Sequence, residues 1–402
     1  MAERSNAAPC AEPVELMLSR FGLLAAVLPR SVASVVAANR RSADAAVPPG
    51  AVAMRPFGET VIDEFFVAAS SFVRRVPDEP TLARAVDRCA AVADELAELG
   101  VAGCNPAPGP LERHTLVKRQ FGGIRFERLN FRSAPRLPDV LARAGHAEPE
   151  NATLRLVGKL DEPRHWVVWL HGAGQGRPDD LVSLRARHLH EELGLNVALP
   201  VLPLHGNRRR RGHPYPGFDP LENIATALRA VSDVRAVIRW VADQGARSIT
   251  LVGLSLGGQT AALAAALEPE VSGIAVVVPM LDLHETLAHH LERAGGRGAR
   301  LAALLRSESI RTANAAVDPA TVAPSAPAAR RLVVAATNDR VTSPIAAARL
   351  HDSWGGRVHW HPGGHVGTIL SHETRSVLDE FIGEIGADTD SLRDEVRLGL
   401  GK

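Results

Sequence analysis

The stretch Leu251–Val252–Gly253–Leu254–Ser255–Leu256–Gly257–Gly258 decides how this chain is read. Strand-forming residues 248–252 precede it, and the small-residue run 259–267, with helical character, follows. A strand–turn–helix unit with this G-x-S-x-G spacing makes a sharp, strained turn that projects one serine hydroxyl from the backbone. Side chains at 253 and 257 would collide with the turn or with the adjoining helix, which is why glycine is expected at both. A serine hydroxyl is a weak nucleophile until a base removes its proton, so Ser255 is a candidate nucleophile that calls for two partners.

The partners are expected in the order serine, acid, histidine, each in a loop just past a strand. The apolar run 332–336 reads as a strand, and Asp339 follows in Thr337–Asn338–Asp339–Arg340–Val341. A further strand at 357–360 leads into His361–Pro362–Gly363–Gly364–His365–Val366–Gly367, where glycines allow the loop to carry His365 over the sheet edge. His365 is the expected base and Asp339 the expected acid, the latter fixing the tautomer and stabilising the imidazolium. Asp282, just past the strand ending near Pro279, is the alternative acid, and either aspartate could instead cap a helix. Attack on a carbonyl also needs two aimed N–H donors. The strand 166–170 ends in His171–Gly172–Ala173–Gly174–Gln175–Gly176, so the Ala173 and Leu256 amides are the expected oxyanion hole.

Working outward, the later strands at 166–170, 196–200, 248–252, 273–278 and 332–336 are mostly apolar throughout, and 357–360 closes the series. Continuous apolar strands imply burial on both faces, hence helices above and below a sheet with crossover connections. One such helix shows in Leu221, Ile224, Leu228, Val231, Val234, Ile238 and Val241, with Asp233, Arg235 and Arg239 off the apolar stripe. Strands at 124–131 and 153–157 come earlier. The connection 284–329 is too long for a simple crossover and is expected to hold helices at 284–294 and 299–307, an inserted lid beside the site.

At this point the chain resembles the α/β-hydrolase superfamily, through His171–Gly172, Gly253–Leu254–Ser255–Leu256–Gly257, Asp339 and Gly364–His365, over residues 120–385. Leu202–Pro203–Leu204–His205–Gly206, followed by basic residues, makes it similar to an actinobacterial-type branch without an assigned activity. The resemblance implies a mostly parallel eight-stranded sheet flanked by helices, no cofactor, and acyl transfer through a serine ester. The expected function is therefore a serine hydrolase that cleaves a carboxylic ester or thioester of a small to medium apolar acyl group through an acyl-enzyme. An acyltransferase or amidase uses the same machinery, and a non-catalytic binding protein on the same fold is the alternative from another class.

Residues 1–110 form an alanine-rich N-terminal extension, with candidate helices at 14–28, 59–75 and 81–99 and no visible chemistry. A cover over the site mouth, a dimerisation surface and extra packing are its three readings, packing being favoured; Pro106–Pro110 is a hinge ahead of the hydrolase-like domain, 116–402, with its lid at about 283–329. With 46 basic and 45 acidic residues the net charge is +1, which gives no global field for nucleic acid. The apolar run 21–28 is stopped by Pro29 and Arg30, too short to span a membrane, and Glu3, Glu12 and Glu15 argue against a signal peptide. Cys10, Cys89 and Cys104 lack metal-ligand spacing and fit a reduced cytoplasmic protein. The expected partner is a small-molecule ester, with room for a homo-oligomer.

Four further features have a plain structural reading. The run Arg208–Arg211 is expected to face water, and His359, His361 and His365 to bind no metal. His171 and His205 are expected to hold loop geometry, and Trp166 and Trp169 to belong to the core.

Overall fold

A computed structural model describes residues 21–73, 75–111, 115–146 and 148–399. Its centre is one sheet built from β1 (Thr115–Phe121), β2 (Ile124–Ser133), β3 (Glu150–Val157), β4 (His165–Leu170), β5 (Asn196–Pro200), β6 (Ser248–Leu254), β7 (Gly273–Val277), β8 (Arg331–Ala336) and β9 (Arg357–His361). The order is β1-β2-β3-β5-β4-β6-β7-β8-β9. Strands β4 to β9 are parallel, and β1, β2 and β3 add an antiparallel flank.

The sheet has nine strands where eight were expected. The addition is β1, which hairpins onto β2 with Phe121 opposite Ile124. It is an exposed edge strand, with Lys118, Arg119 and Gln120 facing water, so it carries none of the apolar alternation by which a half-buried strand shows itself in sequence. The central strands do the opposite: every residue of β6 and β7 is buried, as two-sided helical cover requires.

Among the described residues, residues 21–25 are helical and lead into α1 (Val27–Asn39), α2 (Met54–Val73), α3 (Glu79–Ala90) and α4 (Ala93–Cys104), all ahead of the sheet. Of the expected helix at 14–28, residues 14–20 lie outside the described residues, as does Cys10. The single helix expected at 81–99 is two, broken at Ala91 and Val92. After β5 comes α5 (Pro220–Asp243), started by Asp219, whose carboxylate accepts from the Leu221 and Glu222 amides, with proline in the first turn. Then follow α6 (Leu256–Leu267), α7 (Leu283–Glu292), α8 (Gly296–Leu305), α9 (Glu308–Asn314), α10 (Pro344–Trp354), α11 (His365–Leu370) and α12 (His372–Gly399). Among the described residues no helix is long and apolar enough to cross a membrane.

The apolar stripe of α5 is buried as read, but Asp233 and Arg235 off the stripe are buried too, while Arg239 is half-buried. Asp233 accepts from Ser133 Oγ at 2.5 Å, and Arg235 Nε donates to Glu268 at 2.5 Å. The N-terminal helices pack on the apolar side of α5: Leu82, Val86 and Leu96 of α3 and α4 share one core cluster with Leu228 of α5, Leu287 of α7 and Leu301 of α8. The charged residues themselves are met from elsewhere: Asp233 by Ser133 and Arg208, and Arg235 by Glu268 and by the backbone oxygens of Asn105 and Pro106, just past α4. The Arg208–Arg211 run departs from expectation for a related reason. Arg209, Arg210 and Arg211 are exposed, but Arg208 is buried and pairs with Glu150 and, at 2.8 Å, with Asp233.

Candidate active site

Ser255 sits between β6 and α6 with φ +51° and ψ −115°, a conformation that costs a non-glycine residue about 1–3 kcal/mol unless its surroundings enforce it. They do: Ser255 N donates to Val277 O, and Ser255 O accepts from the Gly258 and Met280 amides, each at 2.9 Å. The glycines are required by crowding. A Cβ at Gly253 would meet Ala261 Cβ at 2.6 Å and Gly257 O at 2.7 Å; one at Gly257 would meet Leu170 O at 2.6 Å.

The parallel register brings the exits of β6, β8 and β9 to one edge of the sheet. There His365 Nδ1 and Asp339 Oδ2 are 2.7 Å apart, both side chains buried. Asp339 Oδ1 accepts from the Val341 and Thr342 amides, and Oδ2 also accepts from Thr342 Oγ1 at 2.8 Å, so the carboxylate is fixed from several directions. With Asp339 on Nδ1, that nitrogen carries the proton and the Nε2 lone pair is left to act as base. Burial by itself depresses the His365 imidazole, but the Asp339 charge, its hydrogen bond and the nearby Asp63 charge outweigh it and hold the group above the usual histidine value.

Ser255 and His365 line the same cavity, of ≈ 300 Å³. Apolar walls come from Phe66 and Val67 of α2, Met280, Leu283 and Leu287 at and in α7, and Ile369 of α11. The floor includes Gly172, Ala173 and Gly174. A larger cavity, ≈ 420 Å³, lies elsewhere, lined by charged residues such as Arg88, Glu150, Asp219 and Arg229. The smaller one holds both the strained serine and the histidine that is bonded to Asp339.

The loop after β4 is held rigidly. Gly172 N donates to Gln175 Oε1 at 2.7 Å, Gly176 N to Asp180 Oδ2 at 2.7 Å, and Arg155 to Gly176 O at 2.9 Å. His171 bonds Gly172 O through Nδ1 and accepts from the Leu202 amide through Nε2; burial pushes its pKa down to about 3, so it is neutral and ties this loop to the end of β5. His205, pushed down by burial to about 4, bonds Pro203 O. Among the described residues no backbone carbonyl accepts from the Ala173 amide, and Leu256 opens α6, so its amide has no intrahelical acceptor.

Of the remaining candidates, Asp282 caps α7 by accepting from the Glu285 amide at 3.0 Å, and it is Asp339 that meets the histidine. His361 Nε2 bonds Glu59 Oε2 at 2.7 Å. Trp166 is buried in the core, while Trp169 is half-buried against it.

The sequence reading found no chemistry in the first 110 residues, and here the structure adds most. On α2, Glu59, Asp63 and Glu64 are all buried against the site loops. Glu59 also accepts from the Gly364 amide at 3.1 Å. Asp63 accepts from His365 N at 2.6 Å, Val366 N at 3.0 Å and Arg340 N at 3.2 Å. Glu64 pairs with Arg340 at 2.7 Å and with Arg293, just past α7, at 3.4 Å. Together with Phe66 and Val67 in the cavity wall, these contacts make α2 part of the cover of the site. The signal that could have found them is Glu59 and Asp63 one helical turn apart, with Glu64 next to Asp63, on a mostly apolar helix, since acidic side chains are rarely buried without partners.

The family described as Alpha/beta hydrolase domain containing 18 matches residues 132–293. Two Mycobacterium tuberculosis proteins, from strains CDC 1551 / Oshkosh and H37Rv and both described as uncharacterized, are 35% identical over 243 residues. That match covers 59% of this chain and 58% of each relative's length. Among solved structures, acetyl xylan esterase 1 from Thermoanaerobacterium sp. JW/SL YS485 aligns with a TM-score of 0.52 at 15% identity, covering 72% of this chain and 98% of that one. The acetyl xylan esterase from Paenibacillus sp. R4 aligns with a TM-score of 0.50 at 16% identity, over 77% and 95%. At those identities the likeness is one of fold.

Proposed function

We propose that this chain is an α/β-hydrolase and, within that superfamily, a serine hydrolase cleaving a carboxylic ester or thioester, a reading that the family match over 132–293 and the likeness of fold support. The observation that carries the reading is that His365, bonded to Asp339, lines the same cavity as a serine held at positive φ.

In the proposed reaction His365 Nε2 takes the Ser255 hydroxyl proton as Oγ bonds to the substrate carbonyl carbon. The resulting oxyanion is met by the Ala173 and Leu256 amides. The bond to the alcohol or thiol then breaks, the imidazolium returns its proton to the leaving group, and an acyl-enzyme remains. Water, deprotonated by the same imidazole, releases the carboxylic acid and restores Ser255. The walls of Phe66, Val67, Met280, Leu283, Leu287 and Ile369 suit an apolar acyl group of small to medium size. The free, buried Cys89 and Cys104 fit a reducing compartment, and we place the enzyme in the cytoplasm.

Turnover of p-nitrophenyl esters from acetate to dodecanoate tests the reading. The expected result is release of p-nitrophenol with kcat/KM greatest at short to medium chains; no release from any ester by folded protein would contradict it. The pH profile follows from the base. Only neutral imidazole accepts the proton, and His365 binds its proton more tightly than usual, so activity is expected to be lost on acidification with a midpoint above histidine's ordinary 6.5. Asp339→Asn removes the main charge that raises it, and is expected to move that midpoint to lower pH while lowering kcat by roughly 10⁴-fold. A pH–rate profile of both proteins checks the direction of each shift.

A further inference from the structure

The base stands on a backbone that its own segment does not secure. His365 opens α11, and the residue before it, Gly364, has no side chain with which to cap the freed amides. The acceptor comes instead from 302 residues earlier: Asp63 Oδ2 takes the His365 amide and Oδ1, from 303 residues earlier, takes that of Val366. The same carboxylate accepts from Arg340 N, next to the acid Asp339, so one side chain ties the base loop to the acid loop.

The loop is shaped to admit α2. A Cβ at Gly364 would fall 2.6 Å from Asp63 Oδ2, and Cβ atoms at Gly363 and Gly367 would fall 1.8 and 2.0 Å from Glu59 Oε2. The glycines around His365 therefore make room for two carboxylates of α2, which is a more specific role than chain flexibility.

We propose that Asp63 is a positioning residue for His365: it fixes the backbone on which the base stands and places a second negative charge beside the imidazolium form. This inference rests on the reading of His365 as the base. Asp63 is fully buried, and burial, with Asp339 close by, pushes its carboxyl up to about 6, so near neutral pH it is charged at a site that disfavours charge. The groups around it are Asp339 and Arg340 from the loop after β8, His365 on α11, Arg293 just past α7, and Glu59 and Glu64 on α2 itself, with His361 of β9 bonded to Glu59. Glu64 lies between Arg340 and Arg293 and Glu59 is bonded to His361 and Arg55, which leaves Asp63 and Asp339 as the carboxylates acting on the base.

The test compares wild type with Asp63→Asn and Asp63→Ser, each verified as folded by circular dichroism; the serine variant serves where asparagine, whose NH₂ would oppose the amide donors, fails to fold. Histidine-selective NMR titration, with the His365 signal assigned through His365→Ala, reads the imidazole directly and needs no turnover. The expected result is that His365 titrates about one pH unit lower in both variants. Where esters are turned over, kcat is expected to fall about 10- to 100-fold with KM within about twofold, and the acid limb of the rate profile to follow the NMR shift. A purely structural role would lower Tm and leave the His365 midpoint in place. Unchanged His365 titration in the folded variants would overturn the proposal, whether or not the protein hydrolyses esters; absence of turnover in wild type alone would overturn the hydrolase reading and leave the NMR comparison decisive for Asp63.

Discussion

Ser255→Ala is expected to lower ester turnover by about 10⁴- to 10⁶-fold and leave the fold intact. The size of the loss follows from the proposed mechanism, in which no acyl-enzyme forms without the serine Oγ and only the oxyanion donors and substrate binding are left to act. The fold persists because residue 255 is held by its backbone, through Val277 O and the Gly258 and Met280 amides, and none of those contacts uses the side chain. Stability is therefore expected to stay within about 0.5 kcal/mol of wild type. Steady-state kinetics and thermal unfolding of the two proteins check both halves. Residual activity above one hundredth of wild type would remove Ser255 from the chemistry.

Gly253→Val is expected to act in the opposite way, through stability first and chemistry second. A branched side chain at 253 would occupy space within 2.6–2.8 Å of Ala261 Cβ, Gly257 O and Gly258 Cα, all in the turn and first helical residues that fix the serine. Neither strand nor helix can retreat, since β6 is central in the sheet and the inward face of α6 is buried in the core. Overpacking against Ala261 and the backbone of α6 is expected to cost about 1–3 kcal/mol or more, read as a fall in Tm and in soluble yield. A protein with wild-type Tm would show that the elbow is looser than the distances indicate.

The fold and the elbow were legible because their signals are local. Alternating runs of apolar strand and amphipathic helix fix a parallel sheet, and G-x-S-x-G between a strand and a helix marks one turn. Asp339 and His365 were legible through chain order and strand placement, and the structure brings them within 2.7 Å of each other. Asp282, equally acidic and equally placed after a strand, differs only in what surrounds it, and that is a tertiary fact. The roles of Glu59 and Asp63 were hidden for the same reason: their partners lie some 300 residues away, and no short-range period records such a pairing. Arg208 looked like the head of a solvated basic run because composition cannot tell which of four arginines turns inward to Glu150 and Asp233. β1 was missed because an edge strand with water on its face has no apolar rhythm.

The central claim is that Ser255 is a nucleophile activated by His365. The direct measurement is reaction with a fluorophosphonate, followed by proteolysis and mass spectrometry of the modified peptide. The adduct is expected on Ser255 in the wild-type protein and is expected to be absent from His365→Ala under the same conditions. An adduct on another residue, or none on folded wild-type protein, would contradict it.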